Sequence, residues 1–272
     1  AVERLSPRLV VLLNLFRDQL DRYGEVDAIV TRWHAALAAL PPDAVVALNA
    51  DDPVVASLGN APGRHAVYYG VNDPAAGLAA LEHAADFVEC LACGRPYDYA
   101  VTFLGHLGHY RCPQCGWERP RPTVSALKVS GAGLAGSHIE LEVSGAVLNT
   151  DIPLPGLYNV YNLLAALAAA GALHIAAPDL NGTLRSLQPA FGRADRIDAG
   201  GKYIVTLLIK NPVGANQVLR ALTCEPGQKP VLLALNDGLA DGQDVSWIWD
   251  VDFEVLRGQV GPAVISGRRA AD

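Results

Sequence analysis

Four of the five cysteines in this chain form two pairs, Cys90-Leu-Ala-Cys93 and Cys112-Pro-Gln-Cys115, in a C-x2-C-x18-C-x2-C arrangement. Two residues between thiolates let one tight turn aim both sulfurs at a single ion, and two such pairs complete a tetrahedral zinc shell. Gly94 and Gly116 follow the second cysteine of each pair, where the backbone must turn back and aim N–H groups at sulfur. Four unrelated thiols or two disulfides are the competing readings, and two correctly spaced pairs favour zinc over both. His106 and His109 fall between the pairs and could replace a thiolate, but four cysteines already fill the shell. A closed all-thiolate shell leaves no position for water or substrate. The expected role is therefore structural, folding a small ribbon.

A second candidate lies at the end of the first apolar run. Leu9-Val10-Val11-Leu12-Leu13 is followed at once by polar Asn14, then by Arg17, Asp18, Asp21 and Arg22. Ligands of open α/β sheets bind at the carboxyl ends of strands, which suits a polar crevice here. A helix N-terminus with exposed charges fits the same residues equally well. A third motif, Gly131-Ala-Gly133-Leu-Ala-Gly136, matches GxGxxG, but a dinucleotide fingerprint must follow a strand and open a helix. The next residues, Ser137 to Val143, alternate as a strand, so the glycines read as a hairpin turn.

The elements that must position these residues alternate. Strand-like runs at 9–14, 44–49 and 66–69 are separated by helical patterns at 16–23 and 27–40 and by a short helix opened by Asp52-Pro53. A further helix is expected over 73–85. Strands alternating with helices imply a parallel sheet. The cysteine segment, 86–122, interrupts this order as an insertion. Strand pieces at 125–129, 139–143 and 146–149 make the far edge antiparallel. Helices follow over 158–170 and 178–187. Past Phe191-Gly192-Arg193, strand runs at 203–209, 231–235 and 263–265 with a helix over 214–222 suggest a second α/β unit.

Of the 272 residues, 51% are hydrophobic, enough for a sizeable core. The 28 acidic residues against 21 basic argue against general nucleic-acid binding. The longest apolar run, Leu163 to Ala177, is alanine-rich and broken by Gly171 and His174, which reads as a buried helix and not a membrane span. Thiolate knuckles with one leftover thiol, Cys224, fit a reducing compartment, so a cytoplasmic location is expected.

Several segments resemble the Mur ligase family, and in particular its MurT-type branch. Asn14 to Glu25 is similar to the central-domain motif, and Asn49-Ala-Asp51-Asp52-Pro53 to the next family element. Gly156-Leu-Tyr-Asn159-Val-Tyr-Asn162 resembles the nucleotide-contacting segment, and Ala190 to Ile197 the junction of central and C-terminal domains. Lys210-Asn211-Pro212, the stretch Asn236 to Asp250 and the four-cysteine ribbon resemble the MurT type. The resemblance implies a central ATP-binding domain over 1–192 carrying the ribbon at 86–122, then a partial, Rossmann-like C-terminal domain over 193–272. The family's glycine-rich phosphate loop and its acidic Mg²⁺ ligand have no counterpart here. The expectation is of a polypeptide truncated at both ends and not competent as a ligase by itself. Gly238 also stands where relatives often carry asparagine.

The activity so implied is amidation of the D-isoglutamate α-carboxylate in the stem peptide of lipid II, during peptidoglycan synthesis. ATP and Mg²⁺ would activate the acid as an acyl phosphate, and ammonia from a GatD-type glutaminase would attack it. Asn14, Asp18, Asn159, Asn162 and Arg193 are the expected nucleotide and Mg²⁺ contacts. Asn159 could instead cap its helix, Arg193 pair with a neighbouring carboxylate, and Asp18 cap or pair on the surface. The partner's Cys–His dyad would borrow a carboxylate from this chain, Asp244 first and Asp250 second. Both flank Ser246-Trp247-Ile248-Trp249, and tryptophans beside acids suit a partner-facing surface, though a core role for both rings is the alternative. Competing readings are a non-catalytic zinc-ribbon adaptor on a degenerate ligase fold, and a folylpolyglutamate synthetase, against which the ribbon and the 241–250 stretch argue.

Overall fold

A computed structural model of the chain describes residues 2–18, 26–61, 63–175, 182–187, 193–224, 226–238 and 242–271. Its centre is a six-stranded sheet in the order β1-β2-β3-β6-β7-β8. These strands are β1 (Leu9–Leu12), β2 (Val45–Asn49), β3 (His65–Val71), β6 (Val124–Gly133), β7 (Gly136–Val143) and β8 (Ala146–Ile152). The first four run parallel and the last two antiparallel, as the strand pattern implies.

Side-chain alternation sorts the strands between two cores. In β2, Val46 and Leu48 face helix α1 (Val26–Ala38), while Ala47 faces the opposite core with Tyr69 and Val71 of β3. That second core is closed by helix α3 (Leu157–Ala172), whose Val160, Leu163, Leu164, Leu167 and Ala168 recur at helical spacing. Gly156 opens α3 at φ +78°, a conformation that excludes a β-carbon at low cost. Helix α2 (Pro53–Ser57) starts as its sequence dictates: Asp52 caps it by accepting from the N–H groups of Val54 and Val55, with proline at the first helical position.

Between β3 and β6 the chain leaves the sheet to build the cysteine ribbon, whose hairpin is β4 (Asp98–Leu104) and β5 (Leu107–Arg111). After α3 come an antiparallel pair, β9 (Arg193–Asp198) and β10 (Tyr203–Leu207), and a parallel pair, β11 (Lys229–Ala234) and β12 (Val260–Ser266). Helix α4 (Pro212–Thr223) lies between the pairs, capped by Asn211. Gly133 pairs with Gly136 across the β6–β7 hairpin, so the GxGxxG match is a turn.

Two expected helices are corrected. Over 73–85 only Pro74–Ala76 is helical, as one 3₁₀ turn, and Glu82 to Ala85 form a separate tight turn. One oxygen of Asp73 accepts from Ala75 N–H and the other from Val129 N–H, and Leu78 then bridges to Thr102 of the ribbon hairpin. The segment is spent on tying the insertion to the sheet. The described part of the expected 16–23 helix, residues 16–18, is irregular. Arg17 N–H donates to the Asp86 carboxylate and Leu15 N–H to Asp52, in place of carbonyls within one helix. Residues 19–23 lie outside the described residues. The expected helix over 178–187 is helical at 182–185, with 178–181 outside them.

Candidate functional site

The four cysteines converge. Cys90 Sγ lies 3.5 Å from Cys115 Sγ, and Cys93 Sγ 3.5 Å from Cys112 Sγ. All four sulfurs fall within 4.8 Å of one another, close to the edges of a tetrahedron with metal–sulfur bonds of about 2.3 Å. Gly94 and Gly116 take φ +70° and +77°, and the N–H of each returns to the carbonyl of Cys90 or Cys112. The backbone N–H of Cys115 is aimed at Cys112 Sγ at 3.5 Å, the kind of donor that supports a metal-bound thiolate. The donor set fits a closed four-thiolate metal centre. His106 and His109 stand outside the cluster. His109 Nε2 lies 2.7 Å from the Val71 carbonyl, and His106 is wholly buried beside Asp52.

The ribbon is bolted to the sheet at the carboxyl end of β2. Asp51 is fully buried there, accepting from Val71 N–H at 2.8 Å, from Tyr161 Oη–H of α3 at 2.7 Å, and from Arg119 Nε of the ribbon. Arg119 also donates to the Val71 carbonyl at 3.1 Å. Burial, then the Asp51 charge, pushes Tyr161 well above the ordinary tyrosine range, so its proton stays in this bond. Asp52 uses one oxygen as the α2 cap and the other to hold Leu15 N–H at 2.8 Å, just past Asn14. His106 Nε2 approaches that second oxygen at 3.5 Å. Sequence reasoning read Asp52 as a helix start and set His106 aside as a spare metal ligand, and it foresaw none of the long-range contacts of Asp51, Asp52, Arg119, Tyr161 or His106. The available signal was two consecutive acids closing an otherwise apolar strand, a placement that costs free energy unless fixed partners surround it.

A small pocket of about 60 Å³ opens where the N-terminal loop meets the C-terminal segment. Asp18, Asp244 and Asp250 line it together with Arg17, Lys210 and Trp247. Lys210 Nζ pairs with Asp18 at 2.6 Å, and Arg17 bridges the buried Asp86 to Asp250, the latter at 3.2 Å. Asp244 is exposed and holds Ser246 N–H at 2.9 Å. The Ser246 hydroxyl and then its N–H keep the Asp244 carboxyl below the usual range. The pocket thus gathers an acid expected near phosphate and metal with both acids expected to serve a partner. Arg17, singled out with Asp18 in the sequence, and Lys210 and Asn211 of the separate Lys210-Asn211-Pro212 motif join them.

The other expected contacts lie elsewhere. Asn14 is half-buried in the loop after β1, and Asn159 donates from Nδ2 to the Pro155 carbonyl at 2.7 Å. Asn162 donates to Asn159 at 3.2 Å, one turn along α3. None of the three lines the pocket. Asn159 does not cap the helix, since Gly156 holds that position. Arg193 begins β9, and its side chain is outside the described residues. The two tryptophans part company: Trp249 is 75% exposed, whereas Trp247 packs on Ala215, Leu219 and Val251.

Residues 208–272 match the MurT ligase C-terminal family. Across 268 residues, 97% of its length, the chain is 33% identical to the lipid II isoglutaminyl synthase (glutamine-hydrolyzing) subunit MurT of Streptococcus pneumoniae. The chain is a relative of the MurT subunits. It spans 57% of that MurT relative's length. Among solved structures, a pseudomurein peptide ligase type C from Methanothermus fervidus superposes with TM-score 0.74 at 26% identity, over 98% of this chain and 54% of that one. MurF from Acinetobacter baumannii superposes with TM-score 0.64 at 15% identity, over 99% and 52%. The fold is that of the Mur ligases. Among the described residues, no helix is long and apolar enough to cross a membrane.

Proposed function

We propose that the protein this chain represents is the amidating subunit of a lipid II isoglutaminyl synthase. It would act in the cytoplasm on the D-isoglutamate α-carboxylate of the stem peptide. The observation that carries this reading is the similarity, along 97% of this chain, to MurT, a glutamine-hydrolysing synthase subunit by name. A carboxylate is a poor electrophile, and ATP with Mg²⁺ would supply the phosphoryl group that turns it into an acyl phosphate. The protein's part is positioning and charge shielding. Asn14, Asp18, Asn159, Asn162 and Arg193 are the proposed nucleotide and metal contacts. Lys210 beside Asp18 supports a charged site at this edge. We assign residues 1–192 to the nucleotide-binding unit and 193–272 to the C-terminal unit.

A GatD-type glutaminase would deliver ammonia. Asp244 is proposed to orient its catalytic histidine, because it is exposed, ionised and held by Ser246. Asp250 is the second choice, since Arg17 already neutralises it at 3.2 Å. Exposed Trp249 beside these acids supports a partner-facing surface. Cys90, Cys93, Cys112 and Cys115 are proposed to hold a structural zinc.

The test is reconstitution of the full-length protein with its glutaminase, followed by glutamine-dependent amidation of lipid II. Asp244→Asn is expected to abolish glutamine hydrolysis in the complex while free ammonia still supports amidation. Normal hydrolysis in both Asp244→Asn and Asp250→Asn would remove the shared-carboxylate assignment. Failure of the intact complex to amidate lipid II from either nitrogen source would remove the synthase reading.

A further inference from the structure

Outside the thiolate cluster and the lining of the pocket, His83, Asp252 and Glu254 bring one ring nitrogen and two carboxylates together. The three ligand atoms lie within 4.8 Å of one another. His83 Nδ1 is 3.1 Å from Asp252 Oδ1 and 4.0 Å from Glu254 Oε1. Asp252 stands at the cap position of the 3₁₀ turn Phe253–Leu256, yet its side chain caps nothing there. Its carboxylate is instead set by α4: Asn216 Nδ2 donates to Asp252 Oδ2 at 2.9 Å, and Asp252 N–H returns a bond to Asn216 Oδ1 at 2.8 Å. Asn216 is 1% exposed, so this support is rigid. A carboxylate oriented by a buried amide, with its other oxygen accepting from His83 N–H at 3.5 Å and turned toward the His83 ring and a second carboxylate, has the kind of outer-shell support that metal ligands receive.

We propose that His83, Asp252 and Glu254 form a second metal site, for a divalent first-row ion with water in its remaining positions. A proton on Nδ1 satisfies one carboxylate at hydrogen-bond distance and leaves the other beyond it. A dication satisfies both, with ligand bonds of about 2.0–2.2 Å reached by sub-ångström side-chain movement. One nitrogen and two oxygens suit Zn²⁺, Co²⁺ or Mn²⁺, whereas the four-thiolate cluster suits zinc and rejects Mn²⁺. The two sites are therefore separable by ion. The second one joins the segment after β3 to the C-terminal segment, and an ion there staples the two.

The probe is Mn²⁺ alone, titrated into the full chain with its thiolate cluster zinc-loaded and followed by electron paramagnetic resonance of the free ion. The wild type is expected to bind saturably, with the His83 ring signals broadened in the nuclear magnetic resonance spectrum. His83→Ala and Glu254→Gln change exposed side chains and leave the circular dichroism intact, and each is expected to weaken that binding at least tenfold. Three outcomes overturn the site: no saturable binding up to about 1 mM, the weak end of biological divalent sites; saturable binding without broadening of His83; or weakening of less than tenfold in either variant.

Discussion

The carboxylates at the end of β2 and those around the outer pocket share a charge and little else. Asp51 and Asp52 are wholly buried, and each is met by several fixed donors from β3, α2, α3, the ribbon and the N-terminal loop. Asp18 and Asp250 are half-exposed, each beside one long cation, and Asp244 is held only by its own loop. Buried acids with saturated partners hold architecture in place, because exchanging any partner leaves an uncompensated charge. Exposed acids can trade a flexible lysine or arginine for a ligand or a partner at small cost. The contrast assigns positioning to the inner group and contact to the outer one.

The largest break in that contrast is expected from the ribbon. Structural zinc supplies apparent binding free energies of about 10–16 kcal/mol in small folds. Cys112→Ser should release the metal and abolish hydrogen-exchange protection across 86–122, with protection retained in β2, β3 and α3. Arg119→Ala comes next, leaving Asp51 buried without its cation. The expected loss is about 3–5 kcal/mol in urea unfolding, and a change of under 1 kcal/mol would refute an architectural Asp51.

Glu82 offers a test by pH. Its buried carboxylate pairs with Arg220 at 2.9 Å and accepts from Gly105 N–H, yet burial outweighs both and raises its pKa above the ordinary 4.5. An acid raised on folding stabilises most below its unfolded value, and that contribution disappears as pH rises through the raised folded value. Glu82→Gln should therefore flatten the fall in stability above pH 4.5, measured by denaturation at a series of pH values. The smallest stability effect belongs to the outer group. Asp244→Asn should change unfolding free energy by less than about 0.5 kcal/mol, with its consequence confined to the partner's glutamine hydrolysis. A larger loss of stability would place Asp244 with the architectural acids.

Local signals were legible wherever a short stretch dictates its own geometry. The two knuckles, the Asp52-Pro53 helix start, the Gly131–Gly136 turn and the α3 stripe depend on neighbours within a few residues, and each formed as expected. The helix expected over 73–85 failed because Asp73 and Leu78 answer to Val129 and Thr102, far along the chain. Arg17, at the start of the helix expected over 16–23, likewise answers to a distant carboxylate, Asp86. Asn159 and Asn162 bond Pro155 and each other one turn apart on the helix, a pairing that their sequence spacing alone did not single out.

The order of residues alone determined the strand alternation, the metal-binding spacing and the relationship to the Mur ligases, since each is written in periods and intervals along the chain. Which acids meet which cations was decided only in three dimensions. Asp51 finds Arg119 and Tyr161, Asp18 finds Lys210, and His83 finds Asp252 across separations of 68, 110, 192 and 169 residues. Pairings so distant carry no local signature, because electrostatic and hydrogen-bond partners are chosen by proximity after the sheet has brought its ends together.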